Sequence, residues 1–161
     1  MAETLKIPVG ASRGEVYRTL LPQFRSVCEG EEDLIANLAN CCAILKEGFR
    51  FLWVGFYLRQ GNELVLGPFQ GPLACSRIQI GSGVCGTSAA ERRAIVVPNV
   101  EEFPGHIACS SLSRSEVVVP LLVQDAVKLV LDIDSESLND FSELDVEWLG
   151  QYLDILQRHF A

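Results

Sequence analysis

The chain has 161 residues, 48% of them hydrophobic and 21% charged, and a formal net charge of −8. This length predicts a single domain over residues 1–161, whose core buries about two thirds of the surface of the unfolded chain. Nucleic acid is not expected as a partner, because the negative charge would repel a polyphosphate and no window clusters Lys and Arg.

The sequence contains no long apolar run. Its N-terminal segment, MAETLKIPVGAS, lacks the apolar stretch of a secretory signal. Elsewhere no segment approaches the roughly 18 apolar residues that a membrane helix requires. A cytoplasmic location without membrane contact is therefore expected.

Six cysteines lie at positions 28, 41, 42, 75, 85 and 109. A chain of this length and apolar content does not need a disulfide framework, so some of these thiols are expected to be reactive. A zinc site is not predicted, because no Cys-x-x-Cys occurs and His106 with Cys109 supplies only half of a ligand set. No other cofactor is expected.

Two helices are predicted first. Ser12 and Glu15 have the spacing of a capping box and precede apolar residues on one face, which predicts a helix ending before Gly30. Apolar residues repeat at helical spacing again over residues 31–47. The two adjacent cysteines of this segment lie on or beside its buried stripe, which favours an interpretation as small core side chains.

A β-hairpin follows the helices. From Phe49 to Leu58 the period changes to two, which predicts a strand, and a Gly-Asn turn leads into a second strand over residues 63–69. Trp53 and Tyr57 share one face of the first strand. They either pack in the core or form an aromatic wall for a sulfonium-like or methyl group.

The segment from Ile78 to Arg92 predicts a short strand, a glycine-containing turn and a short helix. Cys85 would lie near the start of this helix, where the helix dipole and unpaired N–H groups favour the thiolate. After a brief strand over residues 94–97, residues 98–115 form a long polar connection. Cys109 lies in this connection and is either a reactive thiol or an incidental one.

The final third predicts a second strand pair and a last helix. Residues 116–123 and 126–133 are β-branched or apolar and are joined by a short turn, which indicates an antiparallel pair. Ser142 and Asp145 have capping-box spacing before the last helix. The order of elements predicts an α+β domain with an antiparallel sheet.

Carboxyl groups collect at the end of the last strand. Asp132 and Asp134 are two residues apart and project to one face, where they would hold a substrate ammonium group or keep a proton available. Alternatively, Asp134 begins a turn. Glu116 opens the preceding strand. Its nearest charged neighbour in the sequence is Arg114, which favours an ion pair between these two residues.

The strings WVGFY, GVCGT, FPGHIAC, SRSE and LDIDS together resemble the free methionine-R-sulfoxide reductases, a family built on a GAF-type domain. The resemblance covers nearly the whole chain. It implies a central antiparallel sheet flanked by helices, a homodimer, and an enzyme that reduces the R-sulfoxide of free methionine.

The resemblance also implies three redox cysteines, Cys75, Cys85 and Cys109. In this interpretation Cys109 attacks the sulfoxide sulfur and becomes a sulfenic acid. Cys85 is the principal resolving cysteine, and Cys75 is an auxiliary one able to exchange with it. Thioredoxin or a similar dithiol would then restore the thiols.

The pocket residues implied by the resemblance are Trp53 and Tyr57 around the methyl group and sulfur, and Glu116, Asp132 and Asp134 around the ammonium group and the sulfoxide oxygen. Acidic side chains in a small closed pocket would bind the α-ammonium of a free amino acid, which a methionine within a peptide lacks. The alternative function is a non-catalytic GAF module that binds a small ligand or senses redox state.

Overall fold

The computed structural model describes residues 4–160, and the predicted domain limits at residues 1 and 161 lie outside the described residues. Short 3₁₀ turns occur at Val100–Glu102 and Gln157–Phe160. The helices and strands are, in chain order, α1 (Arg13–Glu29), α2 (Leu34–Phe49), β1 (Trp53–Gln60), β2 (Glu63–Gln70), β3 (Arg77–Gln79), α3 (Gly83–Glu91), β4 (Ile95–Val97), β5 (Ser115–Val123), β6 (Ala126–Ser135) and α4 (Glu143–Leu156).

The strands form one sheet in the order β3-β2-β1-β6-β5-β4, and every neighbouring pair is antiparallel. The two hairpins predicted from the sequence, β1–β2 and β5–β6, join through β1 and β6 at the centre of this sheet. The predicted α+β class with a central antiparallel sheet and flanking helices is confirmed.

Alternation along the central strands gives the sheet two apolar faces. One face carries Val54, Phe56 and Leu131 and packs against α1, α2 and α4. The opposite face carries Tyr57 and Val130 and packs against α3. The predicted site residues that belong to strands lie on this second face: Trp53, Tyr57, Glu116, Asp132 and Asp134.

Local capping explains where the helices begin. Both predicted capping boxes are present, at Ser12 and at Ser142. The second helix starts later than predicted, because the Asp33 side chain accepts a hydrogen bond from the Ala36 N–H and makes Leu34 the first helical residue. It also runs on to Phe49, so β1 begins at Trp53 and not at the predicted Phe49.

The connection between β4 and β5 is largely irregular, as predicted, apart from its one 3₁₀ turn. It passes over the α3 side of the sheet and carries Cys109. Across residues 4–160, no helix combines the length and the apolar character needed to cross a membrane.

Candidate active site

Most of the predicted site residues line one pocket between the α3 face of the sheet and the 104–113 loop. Seven of the eight share this pocket: Trp53, Tyr57, Cys85, Cys109, Glu116, Asp132 and Asp134. The eighth, Cys75, is bonded to Cys109 at the pocket's edge. The structure thus brings together residues that lie up to 81 positions apart in the chain.

Strand register explains why the side chains meet. Asp134 on β6 lies opposite Trp53 on β1 and opposite Glu116 on β5, so one row of partners crosses three strands. Directly opposed residues in antiparallel strands have neighbouring Cβ atoms on one face. Asp132 belongs to the next row on the same face, opposite Gly55 and Val118.

Gly55 leaves the space that the aromatic wall needs. A Cβ atom at this position would lie 2.2 Å from the Trp53 ring and 2.5 Å from the Phe69 Cβ atom. The indole therefore lies over the glycine beside the acidic row. Any larger residue at position 55 would displace the ring.

The three carboxyl groups are buried and keep their protons more strongly than carboxyls in water. Burial and the nearby Asp134 raise the pKa of Glu116 to about 8. Burial and the neighbouring carboxyl groups also raise the pKa of Asp132 and of Asp134 well above the ordinary range. Three adjacent buried carboxylates would repel each other, so part of this cluster holds protons at neutral pH.

Asp134 lies within β6 and does not begin a turn, so the turn alternative is wrong. Its Oδ1 atom accepts a hydrogen bond from the Ser113 hydroxyl at 2.6 Å. Asp132 differs, because its buried Oδ1 atom has no hydrogen-bond partner among the described residues. An unpartnered buried acceptor is costly, and a bound ligand with a positive donor would satisfy it.

Glu116 faces His106 and not Arg114, so the ion pair predicted from the nearest charged neighbour is wrong. The His106 Nε2 atom lies 3.5 Å from a Glu116 carboxyl oxygen, whereas Arg114 is exposed. Burial lowers the pKa of His106, which favours the neutral imidazole. The side chain of Glu116 points across the sheet because β5 begins at Ser115 and alternation then turns position 116 toward the pocket.

Trp53 and Tyr57 fulfil both alternatives left open by the sequence, since they pack in the core and also form a wall of the pocket. Trp53 and Tyr57 are buried with ring centroids 6.0 Å apart, and both line the pocket. Their polar atoms also hold one segment of chain, since the indole N–H donates to the Pro72 carbonyl at 3.1 Å and the phenol donates to the Cys75 carbonyl at 2.9 Å. These two bonds fix the backbone that presents Cys75.

Cys109 is bonded to Cys75, with their Cα atoms 5.6 Å apart, and Cys85 is a free thiol. The structure therefore differs from the predicted pairing of Cys109 with Cys85. The reason is placement: α3 buries Cys85 beside Asp132, whereas the segment held by Trp53 and Tyr57 brings Cys75 up to the loop.

The prediction that the start of α3 favours a Cys85 thiolate is wrong. Burial raises the pKa of the Cys85 thiol well above its ordinary value, and the nearby Asp132 and Glu116 raise it further. The helix dipole is a weaker influence than full desolvation beside carboxyl groups. Cys85 is therefore a neutral thiol at physiological pH.

Cys85, Glu116 and Asp132 form the one grouping of three potential metal ligands in the described part of the chain. Their ligand atoms lie within 4.8 Å of one another. A bare metal ion here would compete with protons, because burial raises the pKa of each of these three groups. This donor set suits a ligand that brings its own hydrogen-bond donors better than a bare metal ion.

The first turn of α3 also lines the pocket and presents backbone N–H groups there. Ser82, Gly83 and Val84 line the pocket, and the Ser82 side chain makes no capping hydrogen bond. Gly83 has a φ of +62°, and a Cβ atom there would lie 3.0 Å from Ile107. The first N–H groups of a helix favour an anion, so this end of the pocket suits a carboxylate.

Two pocket residues, His106 and Ser113, were missed by the sequence reasoning as site residues. The available signal was position, because they lie three residues before and four residues after Cys109 in the same connection. The two adjacent cysteines of α2 behave as predicted. Cys41 and Cys42 are buried free thiols in the core, as is Cys28.

The GAF domain family matches residues 31–157. GAF domain-containing protein A of Dictyostelium discoideum is 56% identical over 157 residues, covering 97% of this chain and 99% of that protein. Free methionine-R-sulfoxide reductase of Escherichia coli is 42% identical over 151 residues, covering 93% of this chain and 92% of the relative.

Similarity extends to solved structures. The X-ray structure of free methionine-R-sulfoxide reductase from Neisseria meningitidis, in complex with its substrate, superposes with a TM-score of 0.92. It is 51% identical in sequence, and the match covers 98% of this chain and 96% of that chain. The likeness therefore spans the whole sheet, α3 and the loop that carries Cys109.

Proposed function

This chain belongs to the GAF domain family and, within it, to the free methionine-R-sulfoxide reductases, and from that membership we propose how its own residues act. The observation that carries the proposal is the Cys75–Cys109 disulfide at the mouth of a pocket lined by buried carboxyl groups and an aromatic wall. A cysteine that cycles between thiol and disulfide beside such a pocket suits reduction of a small sulfoxide.

The two ends of the pocket fit the two ends of a free amino acid. Asp132 and Asp134 receive the α-ammonium group, and this contact satisfies the unpartnered Oδ1 atom of Asp132. N–H groups at the start of α3 receive the α-carboxylate. Trp53 packs against the methyl group and the sulfur. A methionine inside a peptide lacks both charged groups and is excluded.

Chemistry begins with the reduced enzyme. The Cys109 thiolate attacks the sulfoxide sulfur, and a protonated carboxyl group donates to the sulfoxide oxygen. Glu116 is suited to this step because its pKa of about 8 keeps it protonated at neutral pH. The oxygen passes to Cys109, which becomes a sulfenic acid, and methionine leaves.

Cys75 is the resolving cysteine in this proposal. Its thiol attacks the sulfenic sulfur of Cys109, forms the disulfide and releases water. Support comes from the bond itself and from the hydrogen bond that ties the Cys75 carbonyl to Tyr57. Cys85 remains a neutral thiol that fills the pocket floor beside Asp132.

Several further assignments belong to the same proposal. A thioredoxin or similar dithiol reduces the disulfide after each turnover. Residues 1–161 form one catalytic domain, and the enzyme forms a homodimer and acts in the cytoplasm without nucleic-acid or membrane partners. The catalytic cycle needs no metal or other cofactor.

The test of function is turnover of four substrates with a thioredoxin recycling system: the separated R and S epimers of free methionine sulfoxide, and each epimer within a short peptide. We expect turnover of the free R epimer only. The acidic pocket predicts at least about a hundredfold preference for the free amino acid, because peptide linkage removes the ammonium charge. Binding of methionine sulfoxide without turnover of either epimer would instead indicate a ligand-binding GAF module.

Ser113 offers a second prediction about substrate binding. The Ser113 hydroxyl donates a hydrogen bond to Asp134, and this bond lowers the pKa of the Asp134 carboxyl. Ser113→Ala removes the bond, so the pKa of Asp134 rises. An Asp134 that ionises less readily binds the substrate ammonium less well, so kcat/KM should fall by about tenfold. The fall should come mainly from KM and should lessen as the pH is raised.

The matched control is Ser111→Ala, which removes an exposed hydroxyl two residues away. Steady-state kinetics on the free R epimer between pH 6 and pH 9 would measure both variants. An equal loss in both variants, or a Ser113→Ala loss independent of pH, would contradict the assigned positioning role.

A further inference from the structure

Exposed apolar side chains flank the disulfide. Leu73 is 89% exposed and lies two residues before Cys75, while Leu112 is 54% exposed and lies three residues after Cys109. Ile107, 37% exposed, lies two residues before Cys109. We call these three side chains the redox rim. Scattered exposed leucines are common on proteins, but a group around a reactive bond indicates an interaction surface.

The segments that carry the redox rim also differ in charge from the rest of the chain. Residues 64–90 and 103–115 contain no Asp or Glu, although the whole chain has 21 acidic residues and a net charge of −8. Their charged residues are Arg77, which pairs with Glu63, and the exposed Arg114. This surface would repel an acidic partner less than the remainder of the protein would.

The two sulfur atoms of the disulfide are not equally placed. Cys109 lines the pocket, whereas Cys75 is absent from the pocket lining and is followed by the exposed residues Ser76 and Arg77. Because Cys75 is partly exposed and does not line the pocket, a protein thiol too large to enter the pocket would approach Cys75 and not Cys109. Attack on the Cys75 Sγ atom releases Cys109 as the thiolate, which is the form that the next turnover needs.

We propose that the redox rim is the docking surface for an acidic dithiol protein of the thioredoxin type, whose nucleophilic thiolate attacks Cys75. This inference rests on the proposed function and names the partner's contact site. A mixed disulfide forms between the partner and Cys75 while Cys109 leaves as a thiolate. The partner's second thiol then attacks the partner's own sulfur in the mixed disulfide and its proton goes to the departing Cys75, so the partner becomes oxidised and Cys109 remains a thiolate.

The test measures reduction of the Cys75–Cys109 bond directly, with no sulfoxide present. Reduced Escherichia coli thioredoxin is mixed with oxidised wild type, Leu112→Glu or Leu112→Arg, and the second-order rate constant is measured. Leu112→Glu should slow reduction by about tenfold or more, because it places a negative charge against an acidic partner. Leu112→Arg should slow reduction less. Reduction by dithiothreitol should be unchanged in both variants.

The matched control is Ile35→Glu, since Ile35 has a similar exposure of 52% but lies on α2, on the other side of the sheet. It should leave the thioredoxin rate unchanged. A thioredoxin with its second active-site cysteine replaced by serine should be trapped on Cys75, as read by mass spectrometry of the linked peptides.

Three outcomes would overturn the docking site. Equal slowing by thioredoxin and by dithiothreitol would show a local structural effect, and an unchanged thioredoxin rate in Leu112→Glu would show that the rim is not contacted. A shift in oligomeric state of Leu112→Glu by light scattering would show that a second copy covers this surface. Because no sulfoxide is present, failure of the proposed reductase activity would appear separately, as absent turnover of methionine sulfoxide with dithiothreitol.

Discussion

Replacing Cys109 by serine is expected to lower turnover of free methionine-R-sulfoxide by about 10³-fold or more, because the variant lacks the nucleophile that attacks the sulfoxide in the proposed chemistry. A serine hydroxyl is a far weaker nucleophile toward sulfur at neutral pH, and no sulfenic acid can form on it. Substrate binding should persist, since the carboxyl row and Trp53 are unchanged. The expected signature is lost kcat with a dissociation constant close to that of the reduced wild type.

Turnover and binding are separate measurements for this variant. Methionine release is followed by chromatography, and binding is followed by calorimetry with the R epimer. The matched control is Cys28→Ala, which removes a buried free thiol from the opposite core and should retain turnover. Substantial activity in Cys109→Ser would mean that another group attacks the sulfoxide, and the assignment of the nucleophile would be wrong.

Cys75→Ser is expected to separate the first turnover from the following ones. The reduced variant should release one methionine per active site and then stop as the Cys109 sulfenic acid, because the neighbouring thiol that forms the disulfide is missing. Steady-state turnover with thioredoxin should fall by about 10²-fold or more, since an intramolecular thiol is replaced by a bimolecular reductant. A sulfenic-acid probe should label Cys109 in this variant.

Cys85→Ser is the matched comparison. It replaces a buried neutral thiol by a hydroxyl of similar shape, so steady-state turnover should remain within about tenfold of wild type. Quench-flow measurement of methionine release gives both the burst and the steady rate. The reverse pattern, with Cys75→Ser cycling normally and Cys85→Ser stopping after one turnover, would return the resolving role to Cys85.

Much of the fold could be predicted because its signals are local. Two capping boxes placed α1 and α4, and period-two alternation with short turns placed the β1–β2 and β5–β6 hairpins. Where an observed helix boundary differs from the predicted one, the cause is also local, as with the Asp33 cap at the start of α2. Alternation also placed Asp132 and Asp134 on one face, which is where they lie in β6.

The site was less predictable where it depends on contacts between distant segments. The pair formed by Cys75 and Cys109 spans 34 residues, and Tyr57 on β1 holds the backbone of Cys75, which lies in the connection between β2 and β3. The sequence around Cys75 and the sequence around Cys109 contain no pattern that predicts this contact. The partner of Glu116 was misassigned for the same reason, because His106 approaches it from a loop ten residues away.

The sequence by itself determined the class of fold, the faces of its strands and, through the motif resemblance, the set of residues that gather at the pocket. Only the tertiary structure decided which thiol lies beside Cys109 and which acidic groups keep their protons. The physical reason is that pairing and proton affinity depend on distance and on burial in three dimensions. Burial by the whole fold made Cys85 a neutral thiol at a helix start that alone would favour the thiolate.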